Sequence, residues 1–176
     1  MRFSRFVLGL AAAGILCLAG VFLIIRGHGF DARDEPSQLE TSVARRLRSF
    51  AIPRDMRDAR NPVAASELAI AEARDHFADH CAVCHANDGS GRTQIGENLY
   101  PPTPDMGTSA TQDLSDGELF YMIRNGIPLT GMPGWGGEDE ENWKLVLFIR
   151  HLPQILPVEL ELMNEINDLD AKEHGH

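Results

Sequence analysis

Five residues, Cys81-Ala82-Val83-Cys84-His85, constrain this chain more than any other feature. Two thiols separated by two residues and followed at once by an imidazole form C-x-x-C-H, the attachment sequence of c-type haem. A chain of this composition would produce roughly 0.002 such matches by chance. The chemistry explains the spacing. Each thiol adds across one vinyl group, two intervening residues span the edge of the macrocycle, and the adjacent imidazole falls below the iron. The plain alternatives fit less well. A redox dithiol sits between a strand and a helix, and no strand-like alternation surrounds this one. A zinc site needs about two more ligands, and the third and last cysteine, Cys17, lies in an apolar run. A simple disulfide leaves His85 unexplained.

That apolar run, Val7 to Ile25, is unbroken for 19 residues. As a helix it is about 28 Å long, close to the ~30 Å hydrocarbon core of a bilayer. Arg2 and Arg5 precede it and Arg26 follows. A cleaved signal peptide would have a shorter apolar region and a small-x-small cleavage site. The expectation is therefore an uncleaved signal anchor over residues 1–26. Met1–Arg5 would lie in the cytoplasm and everything after Arg26 outside. This agrees with haem attachment, which follows export.

The chain carries 16 Lys+Arg against 26 Asp+Glu, a net charge of −10, which argues against nucleic acid as a partner. The charge is unevenly spread. Residues 1–26 carry +3; residues 27–60 carry seven basic and six acidic groups; residues 61–176 carry six basic against twenty acidic, or −14. A charged connector is expected over residues 27–62. Within it Leu39, Val43, Leu47 and Phe50 fall on one face of a helix, and the opposite face reads as basic, with Arg45, Arg46 and Arg48. That helix either packs on the main domain or lies against a membrane or partner. Residues 157–176 read as an acidic tail, a short helix and then a frayed end carrying His174 and His176.

Between connector and tail, residues 63–156 have the helical periods of a small all-α domain. Ile70, Ala73 and Phe77 share one helical face, and Asn61-Pro62 or Ser66 could cap its start. Ser115-Asp-Gly-Glu118 is a capping-box pattern that opens a middle helix containing Leu119, Met122 and Ile123, ended by Gly126 and Pro128. Leu145, Phe148, Ile149 and Leu152 form the apolar face of a further helix, stopped by Pro153. The iron's sixth ligand must come from outside the motif. Met132 stands in a Gly/Pro-rich loop that cannot be regular helix and presents a thioether rigidly, with Trp135 to shield it. Met106 is the alternative, but follows His85 by only 21 residues. Arg92 could pair with a haem propionate, and Tyr100 or Trp135 could hydrogen-bond one. His76 and His80 read as solvated side chains.

The segment from about Glu67 to Pro153 resembles a single-haem class I cytochrome c of the membrane-anchored bacterial kind. The resemblance covers roughly half the chain. It rests on a helix running into Cys81–His85, a Gly-rich loop, a middle helix, Thr130-Gly131-Met132-Pro133 and a terminal helix. It implies an all-α fold of three or more helices around one haem c, held through two thioethers from Cys81 and Cys84. It implies His85 and Met132 as iron ligands. It further implies that the carbonyl of Pro101 or Pro102 accepts from His85 Nδ1.

The function expected on these grounds is electron transfer, not transformation of a substrate. A His/Met pair closes the coordination sphere and raises the potential, which suits a carrier. The carrier would be a single-pass protein of the bacterial inner membrane with its haem domain in the periplasm. Its partners would be redox proteins, and the acidic domain would favour basic docking faces. The rivals are an electron-entry subunit of a larger oxidoreductase and a haem ligand sensor.

Overall fold

The computed structural model describes residues 2–29 and 31–173. No strand occurs among them, and they divide into two units at Asp31/Ala32. The first unit is α1 (Arg2–His28). Its stretch Arg5–Gly27 has a mean hydropathy of 2.7 and is long and apolar enough to cross a membrane. An apolar helix of this kind fits membrane anchoring.

The second unit is the haem-motif domain. It contains α2 (Gln38–Ala51), the short turn α3 (Arg54–Arg57), α4 (Glu67–His80), the motif turn α5 (Ala82–His85), the short α6 (Ser109–Gln112), α7 (Asp116–Asn125), α8 (Asp139–His151) and α9 (Pro157–Glu173). Helix α4 begins at Ser66, whose Oγ accepts from the Ala69 amide at 3.1 Å, and not at Asn61-Pro62. Helix α7 opens with the expected capping box, since the Ser115 Oγ accepts from Glu118 N while the Glu118 carboxylate accepts from Ser115 N. Three acidic residues fill the first turn of α8, favourable at the positive end of the helix dipole.

The core is the meeting of α4 and α8, with α7 packed on α8 and α9 packed on α4. Ala73, Phe77, Val146 and Phe148 are fully buried, and the rings of Phe77 and Phe148 lie 5.1 Å apart. Phe120 stacks on Trp143 at 4.1 Å.

Two segments depart from the sequence expectation. The tail is a 17-residue helix, not a short one. Leu160, Met163 and Ile166 recur every three residues, and Met163 is fully buried. Its docking is polar as well, for Asn167 Nδ2 donates to the Ala78 carbonyl at 2.7 Å. His174 and His176 lie outside the described residues. The second departure is α2. The helix belongs to the domain, but its apolar stripe does not face it. Its inner face carries Arg48 and Ser49, and the next residue past the helix, Ile52, is buried. Ser49 Oγ donates to Glu118, and Ser115 Oγ donates to the Arg57 carbonyl. Gly117 permits this approach, because a Cβ there would lie 1.8 Å from the Met56 carbonyl oxygen.

Candidate functional site

Helix α4 ends in the motif. The Cys81 amide donates to the Phe77 carbonyl, and the His85 amide donates to the Cys81 carbonyl at 2.9 Å, so α4 runs almost directly into α5. Both Cys81 and Cys84 are free thiols, half-buried on this turn. Burial, with the neighbouring Cys84 thiol and Asp79 carboxylate, pushes the Cys81 thiol up to about 12. A thiol so protonated is the opposite of the low-pKa nucleophile of a disulfide exchanger. With no strand among the described residues, the setting is not that of a redox dithiol either.

His85 is buried beside Phe77, ring centroids 6.3 Å apart. Burial pulls its imidazole down to about 4, so the ring is neutral at physiological pH and keeps a lone pair for a metal. Its Nδ1 is buried without a hydrogen-bond partner. The bond expected from Nδ1 to a carbonyl of Pro101 or Pro102 is therefore absent from this structure. Pro101 is exposed and Pro102 half-buried. A buried orphan nitrogen costs stability of its own, on the order of 1–3 kcal/mol. A neutral buried imidazole next to two free thiols is a donor set that fits a covalently held haem.

The loop after the motif is drawn tight. Gly91 donates its amide to the His85 carbonyl at 2.8 Å with φ +72, and a Cβ there would lie 2.3 Å from the Thr103 carbonyl oxygen. Thr93 Oγ1 donates to the Cys84 carbonyl at 3.2 Å and accepts from the Gly96 amide at 2.8 Å. Thr93 thus fastens the loop to the end of the motif turn. Asn87, two residues past His85, donates to Asn164 and Asn167 of α9. Neither residue announces itself in the sequence, because each partner is set by the fold.

Met132 lies on the loop from Gly126 to Gly137, half-buried against the core. The loop folds back on the end of α7, since the Trp135 and Gly136 amides donate to the Ile123 and Arg124 carbonyls. It is tied to the motif region at two points. The Leu99 methyls lie against Gly131, and the Trp135 ring meets His80 edge-on at 5.8 Å. Met106 and Met122 are both buried in the core. The remaining candidates are engaged elsewhere. Arg92 is exposed and 3.7 Å from Asp88. Tyr100 donates to Glu40 at 2.5 Å, and that bond raises its phenol pKa. Trp135 is half-exposed. His80 sits 2.8 Å from Asp79, and His76 lies 3.8 Å from Glu141.

Residues 68–149, from the start of α4 to near the end of α8, match the family model described as cytochrome c oxidase, cbb3-type, subunit III. No curated protein matches the chain. The matched segment contains the motif turn, the Met132 loop and the helices that carry them. It is all-helical, in keeping with the class I cytochrome c fold. Over that segment the chain is a c-type cytochrome, a haem-bearing electron-transfer domain.

Proposed function

We propose that this protein is a membrane-tethered carrier with one haem c, passing single electrons between protein partners on the periplasmic face of the inner membrane. The observation that carries this reading is the buried, neutral His85 at the end of a turn that also holds two free thiols. Bound haem would supply a one-electron iron couple. The chain's own residues do the rest. Cys81 and Cys84 are the proposed points of thioether attachment, and His85 Nε2 and the Met132 sulfur the proposed axial ligands. The carbonyl of Pro101 or Pro102 is the proposed acceptor for Nδ1, which would hold the ring in one orientation. The loop folded back on the end of α7 would hold Met132 in place, with Trp135 proposed to shield it. Arg92 and Tyr100 are proposed for the propionates, each at the expense of its present carboxylate partner.

The single C-x-x-C-H among 176 residues supports one haem. The apolar span Arg5–Gly27, with Arg2 and Arg5 before it, supports a single pass with the domain outside. In the oxidised holoprotein, Met132→Ala should abolish the far-red thioether-to-iron charge-transfer band while Met106→Ala retains it. A band that survives Met132→Ala would sink the ligand assignment.

The matching family's description favours a second reading, an electron-entry subunit of a larger oxidoreductase. A stable, stoichiometric complex on gentle solubilisation of the full chain would support that reading over the free carrier.

A further inference from the structure

Helix α2 turns its apolar stripe away from the domain it belongs to. Leu39, Val43, Leu47 and Phe50 are 75%, 47%, 61% and 86% exposed. At 100° per residue they span about 80° of the helix circumference, nearly opposite the face through which Arg48 and Ile52 meet the domain. We infer that α2 is an interfacial membrane helix, its stripe embedded at the surface of an anionic bilayer and the haem domain riding above it.

Three observations commit the stripe to lipid. The first is reach: the membrane-spanning stretch ends at Gly27 and α2 begins at Gln38, so at most about 40 Å of chain separates them. The second is charge. Arg46 borders one edge of the stripe, exposed and with no ion pair among the described residues, while Glu40 at the other edge is bonded to Tyr100; Arg45 and Arg54, also exposed, lie off the stripe. A free arginine beside an apolar stripe, on a helix with three arginines and one carboxylate, fits a helix that lies in an anionic interface. Residues 61–176, by contrast, carry −14 and are repelled by the same surface. The third is size. One stripe of four side chains falls far short of the ~800 Å² per partner of a standard protein interface. The consequence is orientation: the basic helix faces down and the acidic face of the haem domain is presented to partners in solution.

The inference rests on the tether reading above, and the experiment separates the two. Full-length holoprotein in a Cys17→Ala background is placed in nanodiscs rich in phosphatidylglycerol, with a nitroxide on Val43→Cys, Leu47→Cys or, as control, exposed Thr108→Cys. Insertion of α1 is read independently, by resistance to alkaline extraction from vesicles. The labels at 43 and 47 should collide several-fold more with oxygen and several-fold less with a water-soluble nickel chelate than the label at 108. Adding Arg45→Glu and Arg46→Glu should reduce that difference with the haem spectrum unchanged. If α1 resists extraction but labels 43 and 47 are as open to nickel as label 108, α2 does not lie in lipid and the inference fails. Spin–spin broadening between copies in detergent would assign the stripe to a second chain and overturn it equally. Loss of α1 from the membrane would overturn the tether itself.

Discussion

Arg150 shows how much of this domain hangs on single side chains. Its guanidinium donates to the Gln112 carbonyl at 2.7 Å, to the Leu114 carbonyl at 2.5 Å and to the Asp116 carboxylate at 2.8–3.0 Å. It therefore joins α8 to the carbonyls between α6 and α7 and to the first residue of α7. Arg150→Ala leaves two carbonyls and a carboxylate without their donor. It should lower stability by about 2–4 kcal/mol, read by chemical denaturation of the holoprotein, with the haem spectrum unaltered in the folded state. A loss within experimental error of zero would show the network to be ornamental. The Gln112 amide makes a matching bridge from below, to the Met106 and Ile149 carbonyls.

At the scale of elements, the docking of α9 is sensitive to acid. His151 at the end of α8 lies 2.9 Å from Glu159, whose carboxylate also accepts from the Leu156 amide. Burial alone would raise the Glu159 carboxyl, but the bonds from His151 and Leu156 and the charges of His151 and Arg74 outweigh it and hold it below its ordinary value. A folded pKa below the unfolded one means stability that is fully present above about 4.5 and is lost as pH falls through the folded value. Between about pH 6 and pH 3 the wild type should therefore lose more thermal stability than Glu159→Gln. Parallel curves for the two proteins would contradict this. The same element carries Asn167 and fully buried Met163, so its loosening would uncover the back of α4.

At the scale of the whole molecule, the average of −10 conceals a division between a mildly basic first third and a strongly acidic haem domain. A redox partner that recognises this domain should present a basic face. Electrostatic steering of that kind weakens as the Debye length shrinks, from about 10 Å at 0.1 M salt to about 3 Å at 1 M. Second-order electron transfer to a basic acceptor should slow steadily as salt rises, measured by stopped flow. A rate independent of ionic strength would place recognition on apolar contact instead. Leu129, fully exposed on the Met132 loop, would then be the first residue to test.

Much of this protein was legible from the order of its residues because the features concerned are local. C-x-x-C-H depends on five consecutive residues, the capping box of α7 on four, and the apolar helix α1 on an unbroken apolar run. Each is set within one contiguous segment, so sequence alone determined it. Three features depended on the tertiary structure. The covered face of α2 is the one that carries Ser49, bonded to Glu118, and leads to buried Ile52, not the stripe that sequence makes conspicuous. The length of α9 was decided by the groove beside α4 that swallows Met163. The path of the loop from Gly91 to Pro102 was decided by the bond from Thr93 to the Cys84 carbonyl and by the Thr103 carbonyl, which leaves no room for a Cβ at Gly91. Periodicity names the apolar face of a helix, but only the shape of the neighbouring surface decides whether that face is buried.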